Sequence, residues 1–81
     1  MIIEDDPKIV EAIERTLSLA EAFTTKAVTN PADAVPAAIR YKPDLILLDV
    51  KLPGGDGRLV LKALKANSAT NAIPVIFLTG L

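Results

Sequence analysis

The 81-residue sequence predicts one doubly wound α/β domain built on a parallel sheet. Two continuous apolar runs, Leu45-Ile46-Leu47-Leu48 and Pro74-Val75-Ile76-Phe77-Leu78, lack the alternation of a half-solvated strand. Such runs read as strands covered on both faces, which is the habit of parallel sheets. Segments with helical spacing separate the strand-like ones, giving the order β-α-β-α-β-α-β. Two cap-plus-proline pairs, Asp6-Pro7 and Asn30-Pro31, mark where helices begin.

The first strand is the short run Met1-Ile2-Ile3, closed by Glu4-Asp5-Asp6. From Asp6-Pro7 onward, Ile9, Ile13, Leu17 and Ala20 recur at three- and four-residue spacing with Val10 and Thr16 beside them. Glu11, Glu14, Arg15 and Ser18 take the other face, so the segment is an amphipathic helix. Phe23 to Val28 is β-prone and roughly alternating, the character of a half-buried strand near an edge. Asn30-Pro31 opens a second helix through about Tyr41. Pro36 sits inside it, where an interior proline costs about 3 kcal/mol, so a kink or a short helix is expected. Lys42-Pro43 ends that segment, because the residue before proline avoids the helical region. A third helix runs from Gly57 to about Asn67, with Val60, Ala63 and Leu64 inward and Arg58, Lys62 and Lys65 outward. Asn67-Ser68 and Thr70-Asn71 make a polar loop before the last strand.

Composition excludes several chemistries. The chain has no cysteine and no histidine, which removes disulfides, thiol catalysis, thiolate zinc sites and the commonest general base. Any metal must be held by oxygen, which favours magnesium, calcium or manganese. Net charge is −1 with the cations dispersed, so no electrostatic footprint for nucleic acid or an anionic membrane is present. No apolar run approaches the roughly 20 residues of a membrane span. Acids from Glu4 onward interrupt the amino end, so no signal peptide is read, and a cytoplasmic protein is expected. With 51% apolar residues and only three aromatics (two Phe, one Tyr), the core is aliphatic.

In open parallel sheets, ligands bind beyond the carboxyl ends of the strands, where strand order reverses. Three strands end in polar groups at that edge: Glu4-Asp5-Asp6, Asp49 and Thr79. Clustered carboxylates raise one another's pKa unless a cation neutralises them, so this reads as a magnesium-type pocket. Asp49 is placed to attack phosphorus as a carboxylate nucleophile, forming an acyl phosphate, with the Thr79 hydroxyl donating to a phosphoryl oxygen. Taken singly, Asp49 also reads as a strand-ending aspartate, and Asp5 and Asp6 as acids favoured at a helix N-terminus. Gly54, Gly55 and Gly57 serve turn geometry, and no phosphate-cradling glycine motif is present.

Glu4-Asp5-Asp6-Pro7, then PDLILLDVKLPGGDG (43–57), then PVIFLTG (74–80), in that order, resemble the receiver domain of two-component response regulators. The resemblance implies a flavodoxin-like sheet of order 2-1-3-4 and a single partial receiver-like domain over residues 1–81. It implies a phosphoacceptor module rather than an enzyme, taking a phosphoryl group on Asp49 from a histidine kinase or phosphotransfer protein. Asp5 matches the direct ligand of Mg2+ (or Mn2+), Asp49 a second, Lys51 a backbone-carbonyl ligand, and Glu4 an acid acting through water. Thr79 matches the hydroxyl residue that contacts the phosphoryl group, and Asp6 a helix cap. The match stops past the fourth strand, before the fifth strand with its lysine and the last two helices. An open sheet edge then predicts a homo-oligomer or domain-swapped dimer.

Two other readings compete. An aspartate-based phosphatase of the haloacid dehalogenase type needs two acids two residues apart after the first strand, followed by threonine. Glu4-Asp5-Asp6-Pro7 has that spacing but neither an aspartate at the first position nor the threonine. The second is a non-catalytic interaction or scaffold fragment with the receiver fold, associating through its exposed sheet edge.

Overall fold

The computed structural model describes residues 1–20, 23–52 and 55–78. Its elements in chain order are β1 (Ile2–Ile3), α1 (Pro7–Ser18), β2 (Ala27–Val28), a 3-10 turn (Pro31–Asp33) and α2 (Ala34–Tyr41). There follow β3 (Ile46–Asp49), β4 (Lys51–Leu52), β5 (Gly55–Asp56), α3 (Gly57–Ala66) and β6 (Val75–Leu78). The main sheet has the order β2-β1-β3-β6, and every pairing in it is parallel. Because β6 is the fourth strand of this sheet, the predicted 2-1-3-4 order holds.

Handedness explains the layers. The crossover from β1 to β2 runs one way along the sheet, and those from β2 to β3 and β3 to β6 run the other. Right-handed connections therefore put α1 on one face and α2 with α3 on the opposite face. The main core lies on the two-helix side, where Ile3, Val28, Ile46 and Leu48 pack with Ala34, Ala38, Val60 and Leu64. On the other face, Ile2, Leu47 and Ile76 share one row by register. Ile2 is buried, Leu47 half-buried and Ile76 52% exposed, so cover thins across the row toward β6. Of the two runs expected to be covered on both faces, the β3 run is fully covered on one, and the β6 run is half-buried there and open on the other.

Three helix starts are set by side-chain caps. Asp6 accepts from the Lys8 amide (2.9 Å), Asn30 from the Ala32 amide (3.0 Å) and Asp56 from the Arg58 amide (2.8 Å). The Arg58 guanidinium also grips Asp56 (2.6 Å) and holds that carboxyl below the usual carboxylate range. Pro36 is the third residue of α2. Its missing N–H falls in the first turn, where a helix has no internal partner for it. The residue four before it, Ala32, lies in the 3-10 turn outside α2, so the expected conflict is resolved by a short eight-residue helix with a 3-10 entry. Lys42 closes α2 with a left-handed φ of 48°, its amide donating to the Ala38 carbonyl (2.9 Å).

Several boundaries differ from expectation. The strand predicted over Phe23–Val28 is only Ala27–Val28, because its neighbour β1 contributes just Ile2 and Ile3. Helix α1 ends at Ser18, so Ala20 lies beyond it, and Val10 rather than Ile9 is its buried anchor. In α3 the inward set is Gly57, Val60 and Leu64, while Ala63 is exposed. The glycine-bearing stretch after β3 contains a short antiparallel ribbon, β4 with β5, that nothing in its composition announced.

Candidate metal and phosphoacceptor site

The carboxyl edge of the sheet gathers acids from two strands. The ladder carries past β1, where the Glu4 amide donates to the Val28 carbonyl (3.1 Å) and turns the Glu4 side chain inward. Strand β3 ends at Asp49, paired in register with Leu78 of β6. Carboxylate oxygens of Glu4, Asp5 and Asp49 lie within 4.8 Å of one another, the one such acidic group among the described residues. Glu4 is 2% exposed and Asp49 9%, whereas Asp5 is open to solvent. Asp6 stands apart as the cap of α1.

Electrostatics marks this cluster as incomplete. The Oε2 atom of Glu4 is buried without a hydrogen-bond partner among the described residues. Burial, and after it the neighbouring Asp49 carboxyl, push the Glu4 pKa up to about 7. A buried carboxylate oxygen with no donor costs on the order of 1–3 kcal/mol or more. An all-oxygen donor set with an orphaned buried oxygen fits a hard divalent cation such as Mg2+, which takes carboxylates and completes its shell with water.

Backbone geometry holds Asp49 in place. The Lys51 amide donates to Asp49 Oδ1 (3.3 Å), and Lys51 opens β4 with its side chain exposed. The Gly57 amide donates to the Val50 carbonyl (2.6 Å), tying the start of α3 to the residue after Asp49. A Cβ on Gly57 would collide with the Asp49 carbonyl oxygen and crowd Val50 Cα at 2.9 Å. Reading Gly57 as a turn glycine alone missed this close approach; its place one residue after the Asp56 cap was the available signal. Thr79 lies outside the described residues, as do Pro53 and Gly54 of the loop. The acids of residues 4, 5 and 49 are therefore brought together as the sequence led one to expect.

The comparisons agree with this geometry. The family model for the response regulator receiver domain matches residues 1–81. The chain is 34% identical over 80 residues to the DNA-binding response regulator MtrA of Mycolicibacterium smegmatis, covering 99% of this chain and 33% of that protein. It is 36% identical over 81 residues to the response regulator PleD of Caulobacter vibrioides, covering 100% of this chain and 18% of that protein. The chain thus spans a third or less of the length of these relatives. Among solved structures, the N-terminal domain of a response regulator receiver protein from Methanoculleus marisnigri JR1 superposes with a TM-score of 0.92 at 29% identity, over 99% of this chain and 64% of that one. The signal receiver domain of a signal transduction histidine kinase from Syntrophus aciditrophicus gives a TM-score of 0.86 at 36% identity, over 99% and 60%. Among the described residues, no helix is long and apolar enough to cross a membrane. By its sheet order, its acidic rim and a match along its whole length, the chain belongs to the response regulator receiver domain family of two-component systems.

Proposed function

We propose that Asp49 is the phosphoacceptor of this module and that Asp5, Asp49 and the Lys51 backbone carbonyl hold Mg2+ (or Mn2+), with Glu4 acting through water. The observation that carries this reading is the meeting of Glu4, Asp5 and Asp49 within 4.8 Å at the carboxyl edge of a parallel sheet. An Asp49 carboxylate oxygen forms the new bond to phosphorus as the bond from phosphorus to the donor's nitrogen or oxygen breaks, and the bonding pair leaves with the donor atom. A bound divalent cation supplies charge neutralisation for the phosphoryl oxygens. The Lys51 amide orients Asp49 by donating to its Oδ1, and Gly57 permits the backbone path that presents it. Thr79 is assigned the phosphoryl contact from the family resemblance. The donor is a histidine kinase or phosphotransfer protein in the cytoplasm, and the domain accepts one phosphoryl group rather than turning over substrate as an enzyme. The test is intact-mass measurement after acetyl phosphate and Mg2+: a gain of one phosphoryl group on the native chain and none on Asp49→Ala is expected. Equal labelling of both chains refutes the assignment.

A second reading rests on the sheet edge. Strand β6 pairs only with β3 among the described residues, and its Ile76 is 52% exposed. Such an edge invites pairing with a second copy, so a homo-oligomer or domain-swapped dimer is proposed, and a non-catalytic scaffold role becomes the competing function. Sedimentation at rising concentration tests association. A folded chain that associates yet never accepts a phosphoryl group favours the scaffold.

A further inference from the structure

Strand β2 is the outer strand at the end of the main sheet opposite β6, and it pairs with β1 alone among the described residues. The Ile2 amide donates to the Lys26 carbonyl (2.8 Å) and the Glu4 amide to the Val28 carbonyl (3.1 Å), so residues 26 and 28 turn their main chain toward β1. Alternation leaves the main-chain groups of Ala27 and Thr29 facing outward. A groove of about 400 Å³ runs beside this edge, between β2 and α2. Asp33, Pro36, Ala37 and Arg40 form its helical wall. Asp33 and Arg40 stand two helical turns apart, so one face carries an acid at one end and a base at the other. Both are exposed, and neither forms an ion pair among the described residues.

We infer that this edge is a docking surface for a second copy of the chain, joined about a two-fold axis normal to the sheet. Such an axis pairs β2 antiparallel with its counterpart through the outward groups of Ala27 and Thr29. It also keeps both α2 helices on one face, side by side and antiparallel. A two-fold interface needs a surface complementary to itself. The groove wall meets that requirement. With the axis passing between Pro36 and Ala37, Asp33 of each copy faces Arg40 of the other, because the four positions are symmetric about that midpoint. Helices approaching in parallel would set acid against acid and base against base. Exposed ion pairs are weak, so their part is to fix orientation and register, while main-chain pairing and closure of the groove supply attachment. Neither charge belongs to the group of Glu4, Asp5 and Asp49, so the surface is independent of the phosphoacceptor assignment.

Sedimentation equilibrium on the native chain should show reversible dimers. Asp33→Arg and Arg40→Asp each set two like-charged pairs across the axis, and each should weaken self-association about tenfold or more. An equimolar mixture of the two variants should dimerise again, since every pair across the mixed interface is then of opposite sign. Pro36→Lys, at an exposed position beside the axis, should abolish dimers, and it serves if a charge reversal fails to fold by circular dichroism. The inference is overturned by a native chain that stays monomeric at millimolar concentration, or by a mixture no more associated than its folded components. Dimers indifferent to all three substitutions overturn it as well and place the contact elsewhere, as at β6.

Discussion

Gly57 and Asp49 are packed backbone to backbone, so that a Cβ at residue 57 would run into the Asp49 carbonyl oxygen. Two principles then give opposite signs for Gly57→Ala. Helix propensity says alanine stabilises the first turn of α3 by about 0.5–1 kcal/mol over glycine. Overpacking against main chain that cannot yield says it destabilises by roughly 1–3 kcal/mol. The steric term is expected to win, because the contacted atoms are backbone. Urea unfolding gives the sign, and labelling by acetyl phosphate should fall with it, since the strain is relieved only by moving Asp49.

Glu4 makes the cation-free chain sensitive to pH. Its pKa rises from 4.5 to about 7 on folding, burial being the main cause. The folded chain therefore holds a proton that the unfolded chain has already lost between those values. Its stability contribution is present below about pH 4.5 and is lost as pH rises through about 7, an effect on the order of 2 kcal/mol. Glu4→Gln keeps the shape and removes the titration. Chelator-treated native chain should lose stability relative to Glu4→Gln between pH 5 and pH 8, approximately the window set by the shift. Parallel pH profiles for the two proteins would count against it.

Divalent cation should reverse that loss. A ligand bound only by the folded state at a hundredfold excess over its Kd adds about 2.7 kcal/mol. Mg2+ is expected to raise the melting temperature of the native chain more at pH 8 than at pH 5, where a proton on Glu4 competes. Asp5→Asn, at the solvent-facing corner of the cluster, should lose most of the increment without itself unfolding the chain. Chelator returns the native chain to its unliganded curve.

Thr70 is buried in a segment that reads as an ordinary polar loop. Its hydroxyl donates to the Leu64 carbonyl (2.5 Å) near the carboxyl end of α3, and Lys65 Nζ donates to the Asn71 and Ile73 carbonyls nearby (3.1 and 3.2 Å). Thr70→Val keeps the shape and leaves the Leu64 carbonyl only the longer bond from the Asn67 amide (3.4 Å), costing about 1 kcal/mol in urea unfolding. Thr70→Ser should recover the hydrogen bond and part of the loss.

How far the chain could be read from its letters divides along physical lines. Signals carried by neighbouring residues were legible. Asp6-Pro7 and Asn30-Pro31 cap the helical segments they open, the apolar runs become β3 and β6, and Lys42-Pro43 ends α2, because caps and proline constraints act within a few residues. The strand ends also located the acids, since a parallel sheet delivers its carboxyl edges to one rim. Strand lengths were not legible. Phe23 to Lys26 has strand character, yet only Ala27 and Val28 pair with β1, and that register is not written in those four residues.

What the sequence determined alone was therefore the order of the elements, their caps and which acids stand at strand ends. Tertiary structure decided the rest: that Glu4 is buried beside Asp49 while Asp5 stays in water, that Gly57 leaves room for a carbonyl eight residues upstream, and that Ile76 is left uncovered. Each of these is set by what another part of the chain brings alongside, and burial, steric exclusion and charge coupling exist only once that neighbour has arrived.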